Sequence, residues 1–117
     1  AAVGTAHGTY KNEDIRFNLL RGIVKRIKIP FVLHGGSGIS DQKIKKAIKE
    51  GVRIINIGTD IKVAFTKTLI ANCAKNKNET DPRKLLSPTI DAIEKVVFEK
   101  MKVFGSFNKS ISTKYKT

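Results

Sequence analysis

The chain has 117 residues, enough for one small domain, and about 40% of it is hydrophobic, which suffices for a core. Lysine and arginine number 23 against 10 acidic residues, a net charge of +13 that favours an anionic partner such as nucleic acid, an acidic surface or a phosphorylated substrate. Cys73 is the single cysteine, so an intrachain disulfide is excluded, which fits a reducing cytosol, and no apolar run reaches the roughly 18 residues of a membrane span. The sequence begins at Ala1 without methionine, has no signal-peptide pattern, and is expected to be a piece of a longer protein.

The first residues, Ala1 to Ala6, are small and apolar and read as a buried strand. They run into a polar loop, His7-Gly8-Thr9-Tyr10-Lys11-Asn12. Ile15, Leu19, Leu20, Ile23, Val24 and Ile27 then recur at helical spacing, a pattern that Pro30 ends. Phe31-Val32-Leu33 is a second short strand and leads into His34-Gly35-Gly36-Ser37-Gly38. Ser40 suits the N-cap of a helix with Ile44, Ala47 and Ile48 inward and Gly51 as its stop. Val52 to Ile57 is a third strand, followed by Gly58-Thr59-Asp60 and a helix from about Ile61 to Lys75. After a polar loop, Ser87 and Pro88 are expected to open a last helix that Gly105 closes, with Ile90, Ile93, Val97, Met101 and Phe104 as its stripe. Residues 1–105 thus form the folded segment, and 106–117 a basic tail expected to be mobile.

Three strand–loop–helix units in series, without a tight hairpin turn, predict an α/β fold of parallel strands with helical crossovers. All three strands end in polar residues on the same side. A (β/α)8 barrel gathers such ends around one centre, whereas an open doubly wound sheet spreads them along an edge. A whole barrel takes roughly 250 residues, so this chain would supply the C-terminal part, about three βα units plus a C-terminal helix.

Two histidines lie just past strand ends in glycine-flanked loops. His7 and His34 either share one metal, with zinc suited to imidazole, or are two unrelated hydrogen-bonding side chains. Gly35-Gly36-Ser37-Gly38 before a capped helix fits either an anion cradle or a flexible turn. Asn56-Ile57-Gly58-Thr59-Asp60 offers an amide, a hydroxyl and another helix start, and Lys11 a positive charge.

Taken together these motifs resemble the class II, zinc-dependent fructose-bisphosphate/tagatose-bisphosphate aldolases. Gly4 to Lys11 looks like the family's segment with a zinc histidine followed by a substrate-binding glycine. Leu33 to Gly38 looks like its other late zinc loop, and Asn56 to Asp60 like its Asn-x-x-Thr-Asp/Glu turn. Asp81-Pro82-Arg83-Lys84 and Lys102-Val103-Phe104-Gly105-Ser106 resemble its C-terminal helices. The resemblance spans Ala1 to about Lys109. It implies a (β/α)8 lyase of carbohydrate metabolism, in glycolysis and the cytoplasm, that reversibly cleaves a ketose bisphosphate into dihydroxyacetone phosphate and glyceraldehyde 3-phosphate.

Carried onto this sequence, the resemblance makes His7 and His34 zinc ligands. It makes Gly8, Lys11, Gly35, Gly36, Ser37, Ile57, Gly58 and Thr59 the phosphate site, partly through backbone N–H groups. Asn56 would bond the substrate near the carbon that becomes the enediolate. Gly8 and Gly35 would lend carbonyls to a monovalent cation, Na+ or K+. Arg83 would reach the second phosphate, of a neighbouring subunit in a homodimer or homotetramer. The family's Asp-His pair, which supplies the acid/base and the third zinc histidine, matches nothing here and would lie before Ala1, so the 117 residues alone are expected to be inactive. Asp60 is expected to orient its turn. The rivals are a basic nucleic-acid-binding module, which the absence of tryptophan and the separation of Tyr10 and Tyr115 disfavour, and a metal-free phosphate-handling barrel.

Overall fold

A computed structural model describes residues 3–5 and 14–109. The order of elements is α1 (Phe17–Val24), β1 (Phe31–Leu33), α2 (Asp41–Lys49), β2 (Val52–Ile55), α3 (Thr59–Lys75) and α4 (Pro82–Phe104). β1 and β2 pair in parallel, with Phe31 opposite Val52, Val32 opposite Ile54 and Leu33 opposite Ile55. Parallel neighbours need a crossover, and α2 supplies it. This is the α/β architecture expected, with two paired strands among the described residues rather than three.

The expected first strand is not formed over residues 3–5. Gly4 takes φ +101°, outside the extended region, and the Val3 carbonyl accepts from Arg16 N–H at 2.7 Å. That bond ties the opening to the approach of α1 instead of to the edge of β1. Val3 is nonetheless fully buried, as its apolar character requires.

α1 is shorter than its stripe: it ends at Val24, well before Pro30. α2 begins after Ser40, as expected, although the Ser40 side chain makes no capping hydrogen bond. α3 starts at Thr59, two residues before the expected Ile61.

The larger correction concerns α4. It opens at Pro82, not at Ser87-Pro88, with Asp81 as N-cap accepting from Arg83 N–H at 2.9 Å. Pro82 occupies the first turn, where its missing N–H costs nothing. Pro88 then lies inside the helix. An internal proline deprives the carbonyl four residues back of its donor. That carbonyl belongs to Lys84, and the Asn72 amide of α3 donates to it at 3.2 Å and to the Leu85 carbonyl at 2.8 Å. A side chain from the neighbouring helix therefore supplies what Pro88 removes.

Asn72 meets the start of α4, and Asp60, at the start of α3, meets Lys100 near the end of α4. The two long helices therefore run antiparallel. Gly105 ends α4 at φ +72°, and the N–H groups of Ser106 and Phe107 turn back to the Met101 carbonyl. Phe107 packs edge-on against Phe98, with Lys102 over the Phe98 ring.

The core is one cluster: Val3, Ile15, Leu20, Phe31, Leu33, Ile39, Ile44, Ala47 and Val52. Leu20 and Leu33 are fully buried in it, and truncating either to alanine costs roughly 2–5 kcal/mol. Ile29, Ile54, Ile70 and Ile90 remain exposed. The chain is flat, 58 × 50 × 20 Å, and its radius of gyration of 18.1 Å exceeds the roughly 13 Å of a compact 100-residue domain. Among the described residues no helix is long and apolar enough to cross a membrane.

Candidate functional site

The C-terminal ends of β1 and β2 point the same way, because the strands are parallel. His34 follows β1 directly and Asn56 follows β2 directly. The strand pairing continues one bond further, Asn56 N–H to the Leu33 carbonyl at 3.1 Å, and this fixes the two side chains beside each other. The Asn56 amide nitrogen lies 3.1 Å from His34 Nδ1. Both side chains are exposed at the strand ends.

Three further bonds close the turns around this pair. Thr5 Oγ1 donates to the His34 carbonyl at 2.7 Å. Gly36 N–H donates to the Asn56 carbonyl at 3.4 Å. Asp60 N–H donates to Ser37 Oγ at 3.3 Å, and Ser37 is buried. The loop after β1, the turn after β2 and the opening segment thus meet at one place. Gly36 has to be glycine for steric reasons: a Cβ there would lie 2.7 Å from Ile55 Cγ2 and 2.9 Å from Ile57 Cδ1. Gly35 and Gly38 have φ of +70° and +86°, which gives the loop its tight course to the start of α2.

The structure therefore gathers His34, Gly35, Gly36, Ser37, Asn56, Ile57, Gly58 and Thr59 at the ends of the paired strands. Gly58 is the N-cap of α3 and Thr59 its first residue, so the first-turn N–H groups and the positive end of the helix dipole open onto this place. The side chain of Ile57 lines an apolar cleft with Ile61, Val97, Met101 and Phe104, and its Cδ1 lies against Gly36, 2.9 Å from where a Cβ there would be. His7, Gly8 and Lys11 lie outside the described residues.

Arg83 is elsewhere. It sits at the start of α4, and the antiparallel pairing puts the end of α4 at the Asp60 turn. The helix between them spans roughly 25 Å at 1.5 Å per residue. Arg83 grips Asp81 in a two-pronged contact, Nε to Oδ1 at 3.0 Å and an Nη to Oδ2 at 2.8 Å. The guanidinium holds the Asp81 carboxyl below the usual aspartate range, and the carboxylate raises Arg83 in turn.

Two contacts at the site had no local signal in the sequence. Thr5 was legible as part of a strand end but not as the side chain that fixes His34. Lys100, whose Nζ lies 2.7 Å from Asp60 Oδ2, belongs to a helix far along the chain. Among the described residues no group of three histidine, cysteine or carboxylate side chains converges to hold a metal ion.

Parallel strands joined by a helix, with an imidazole, an amide and glycine-rich helix starts at their C-terminal ends, define an α/β protein with a polar cluster at one end of its sheet. Comparison with known proteins makes this specific. The family model described as fructose-bisphosphate aldolase class-II matches residues 1–109, and the chain belongs to that family. A fructose-bisphosphate aldolase of Ureaplasma parvum is 43% identical over 114 residues, 92% of this chain and 39% of the relative. One from Geobacillus stearothermophilus is also 43% identical, over 93% of this chain and 38% of its own length. A 6-phospho-5-dehydro-2-deoxy-D-gluconate aldolase of Bacillus subtilis is 41% identical over 94% of this chain and 38% of its own length.

Among solved structures, the YdjI aldolase of Escherichia coli K12 superposes with a TM-score of 0.74 at 30% identity, over 94% of this chain and 39% of that one. The fructose-bisphosphate aldolase of Campylobacter jejuni gives 0.76 at 26% identity, over 92% of this chain and 39% of that one. The chain spans about 39% of the length of the relatives it matches.

Proposed function

We propose that the protein carrying this chain is a zinc-dependent aldolase of a phosphorylated ketose, built on a (β/α)8 barrel, and that these residues form the substrate-anchoring side of its active site. The observation that carries the reading is the juxtaposition of His34 and Asn56 at adjacent parallel strand ends, 3.1 Å apart, above two glycine-rich helix starts. The flat shape and exposed apolar residues support it, since a barrel needs further strands against them.

The donor set suits zinc in kind. His34 presents an imidazole at the strand end; Thr5 holds its backbone carbonyl, and the Asn56 amide nitrogen faces Nδ1, the ring nitrogen whose lone pair zinc would take. His7 would be the second ligand, and the third would come from outside this chain together with the acid/base aspartate. When bound, zinc supplies Lewis-acid polarisation of the substrate carbonyl.

The chain's own residues bind and orient. One phosphate of the ketose would rest on the backbone N–H groups of Gly35 and Ser37 and of Gly58 and Thr59, with Gly36, whose N–H is bonded to the Asn56 carbonyl, allowing the close approach, and Lys11 and Gly8 closing the site from the opening loop. Gly8 and Gly35 carbonyls would hold a monovalent cation beside that phosphate. Asn56 would hydrogen-bond the hydroxyl next to the carbonyl and keep the carbon–carbon bond aligned for cleavage. Such fixed contacts contribute through orientation, which is where remote binding energy is most useful. Cleavage would release dihydroxyacetone phosphate and an aldehyde. Arg83, remote from this site within its own chain, would reach the second phosphate at the site of a neighbouring subunit. The protein would act as a homodimer or homotetramer in the cytoplasm, in glycolysis or a related sugar route.

The relatives named for 6-phospho-5-dehydro-2-deoxy-D-gluconate support a second substrate of the same chemical class at nearly the same identity. The test is release of dihydroxyacetone phosphate by the intact protein from fructose 1,6-bisphosphate, tagatose 1,6-bisphosphate and 6-phospho-5-dehydro-2-deoxy-D-gluconate, with and without a chelator. Chelator-sensitive release from one of them is expected. No release from any, or release indifferent to the chelator, overturns the reading.

A further inference from the structure

Asp60 places a carboxylate in the first turn of α3, next to Thr59 and to the buried hydroxyl of Ser37. A carboxylate there is favoured by the helix dipole, so α3 needs no lysine to accept it. A bound phosphate is another matter: it would occupy the same positive field, and the Asp60 charge would repel it. Lys100 addresses this charge. Its Nζ meets Asp60 Oδ2 at 2.7 Å, and both side chains are only about a quarter exposed, 24% and 26%, so solvent screens the pair weakly. The Lys100 stem lies in the apolar cleft with Ile57, Ile61 and Phe104, which holds the ammonium in place from α4.

We propose that Lys100 is a positioning residue for the anion-binding turn, acting through Asp60. It cancels the carboxylate charge beside the turn from which Asp60 N–H reaches Ser37. The end of α4 thereby becomes part of the site without touching the ligand. This rests on the reading that the turns after β1 and β2 hold phosphate.

The experiment is calorimetric titration of the intact protein with inorganic phosphate, for the wild type, Lys100→Met, Lys100→Arg and the double variant Asp60→Asn/Lys100→Met. Methionine keeps the stem in the cleft and removes the charge. Lys100→Met is expected to weaken phosphate by roughly tenfold to a hundredfold, the order of one uncompensated charge near a dianion at a partly salt-screened protein surface. Lys100→Arg is expected to retain affinity, and the double variant to recover it to within about twofold, because the carboxylate is gone as well. Unchanged affinity in Lys100→Met, a double variant as weak as Lys100→Met, or a wild type that binds no phosphate overturns the inference. The functional reading fails separately: if the phosphate pattern holds but the wild type cleaves no phosphorylated ketose, that reading falls and this one stands.

Discussion

Replacing Gly36 by alanine probes the closest approach in the site. The added Cβ would sit 2.7 Å from Ile55 Cγ2, 2.9 Å from Ile57 Cδ1 and 3.4 Å from the Asn56 carbonyl. The Ile57 methyl is the end of a flexible side chain and can swing away. Ile55 Cγ2 is attached directly to a strand Cβ and cannot, so the loop after β1 has to move off the end of β2. Overpacking of this kind costs about 1–3 kcal/mol. The movement also stretches the Gly36 to Asn56 bond, already 3.4 Å long, and separates Asn56 from His34. Urea unfolding of the intact protein should therefore show a loss in that range, with aldol cleavage falling by more than stability alone explains. A double-mutant cycle with Ile55→Ala isolates the contact: the pair should be less destabilised than the sum of the singles. Gly38→Ala is the control, since nothing lies within 4 Å of its Cβ and its cost of roughly 1–2 kcal/mol comes from φ alone. A coupling between Gly36→Ala and Ile55→Ala indistinguishable from zero would refute the steric argument.

Other outcomes follow from the same contacts. Asn72→Ala should lower the Tm, because it strips the donor from the Lys84 carbonyl opposite Pro88, and adding Pro88→Ala should recover much of the loss by restoring a backbone donor. Asp81→Ala should lower the Tm more than Asp81→Asn, which keeps an N-cap acceptor but loses the grip on Arg83. The Asp81 carboxyl is held below its ordinary value, so its contribution is present above the ordinary aspartate range and is lost as the pH falls through the lowered value; the stability difference between wild type and Asp81→Asn should therefore shrink in acid unfolding. Asn56→Ala should reduce kcat for ketose cleavage by about tenfold to a hundredfold while leaving inorganic phosphate affinity little changed, since the proposed phosphate contacts lie in the adjoining turns.

The sequence was legible where local rules decide. The runs Phe31 to Leu33 and Val52 to Ile57, which follow Pro30 and Gly51 and end in polar turns, form the paired strands, the second stopping at Ile55, two residues short of the expected end. Gly51 and Gly105 stop their helices where their chemistry suggests, and α2 starts after Ser40 although its hydroxyl makes no cap bond. It was misleading where a distant partner decides. Pro88 reads as a helix start because nothing nearby shows that Asn72 will satisfy the carbonyl it orphans. Val3 to Thr5 read as strand because its apolar character is real, while its backbone bonds to Arg16. The site was legible as motifs: His34, the glycine loop and Asn56 to Thr59 do meet. The contacts that hold them, from Thr5 and Lys100, were not, because spacing along a chain carries no record of which helix ends come together.

The central claim is that His34 is a metal ligand in a phosphate-anchoring aldolase site. Zinc retained after dialysis, compared between the intact protein and its His34→Ala variant, tests it most directly. Zinc is expected in the wild type and its loss from His34→Ala, with the fold intact by circular dichroism. Equal zinc in the two proteins would contradict it.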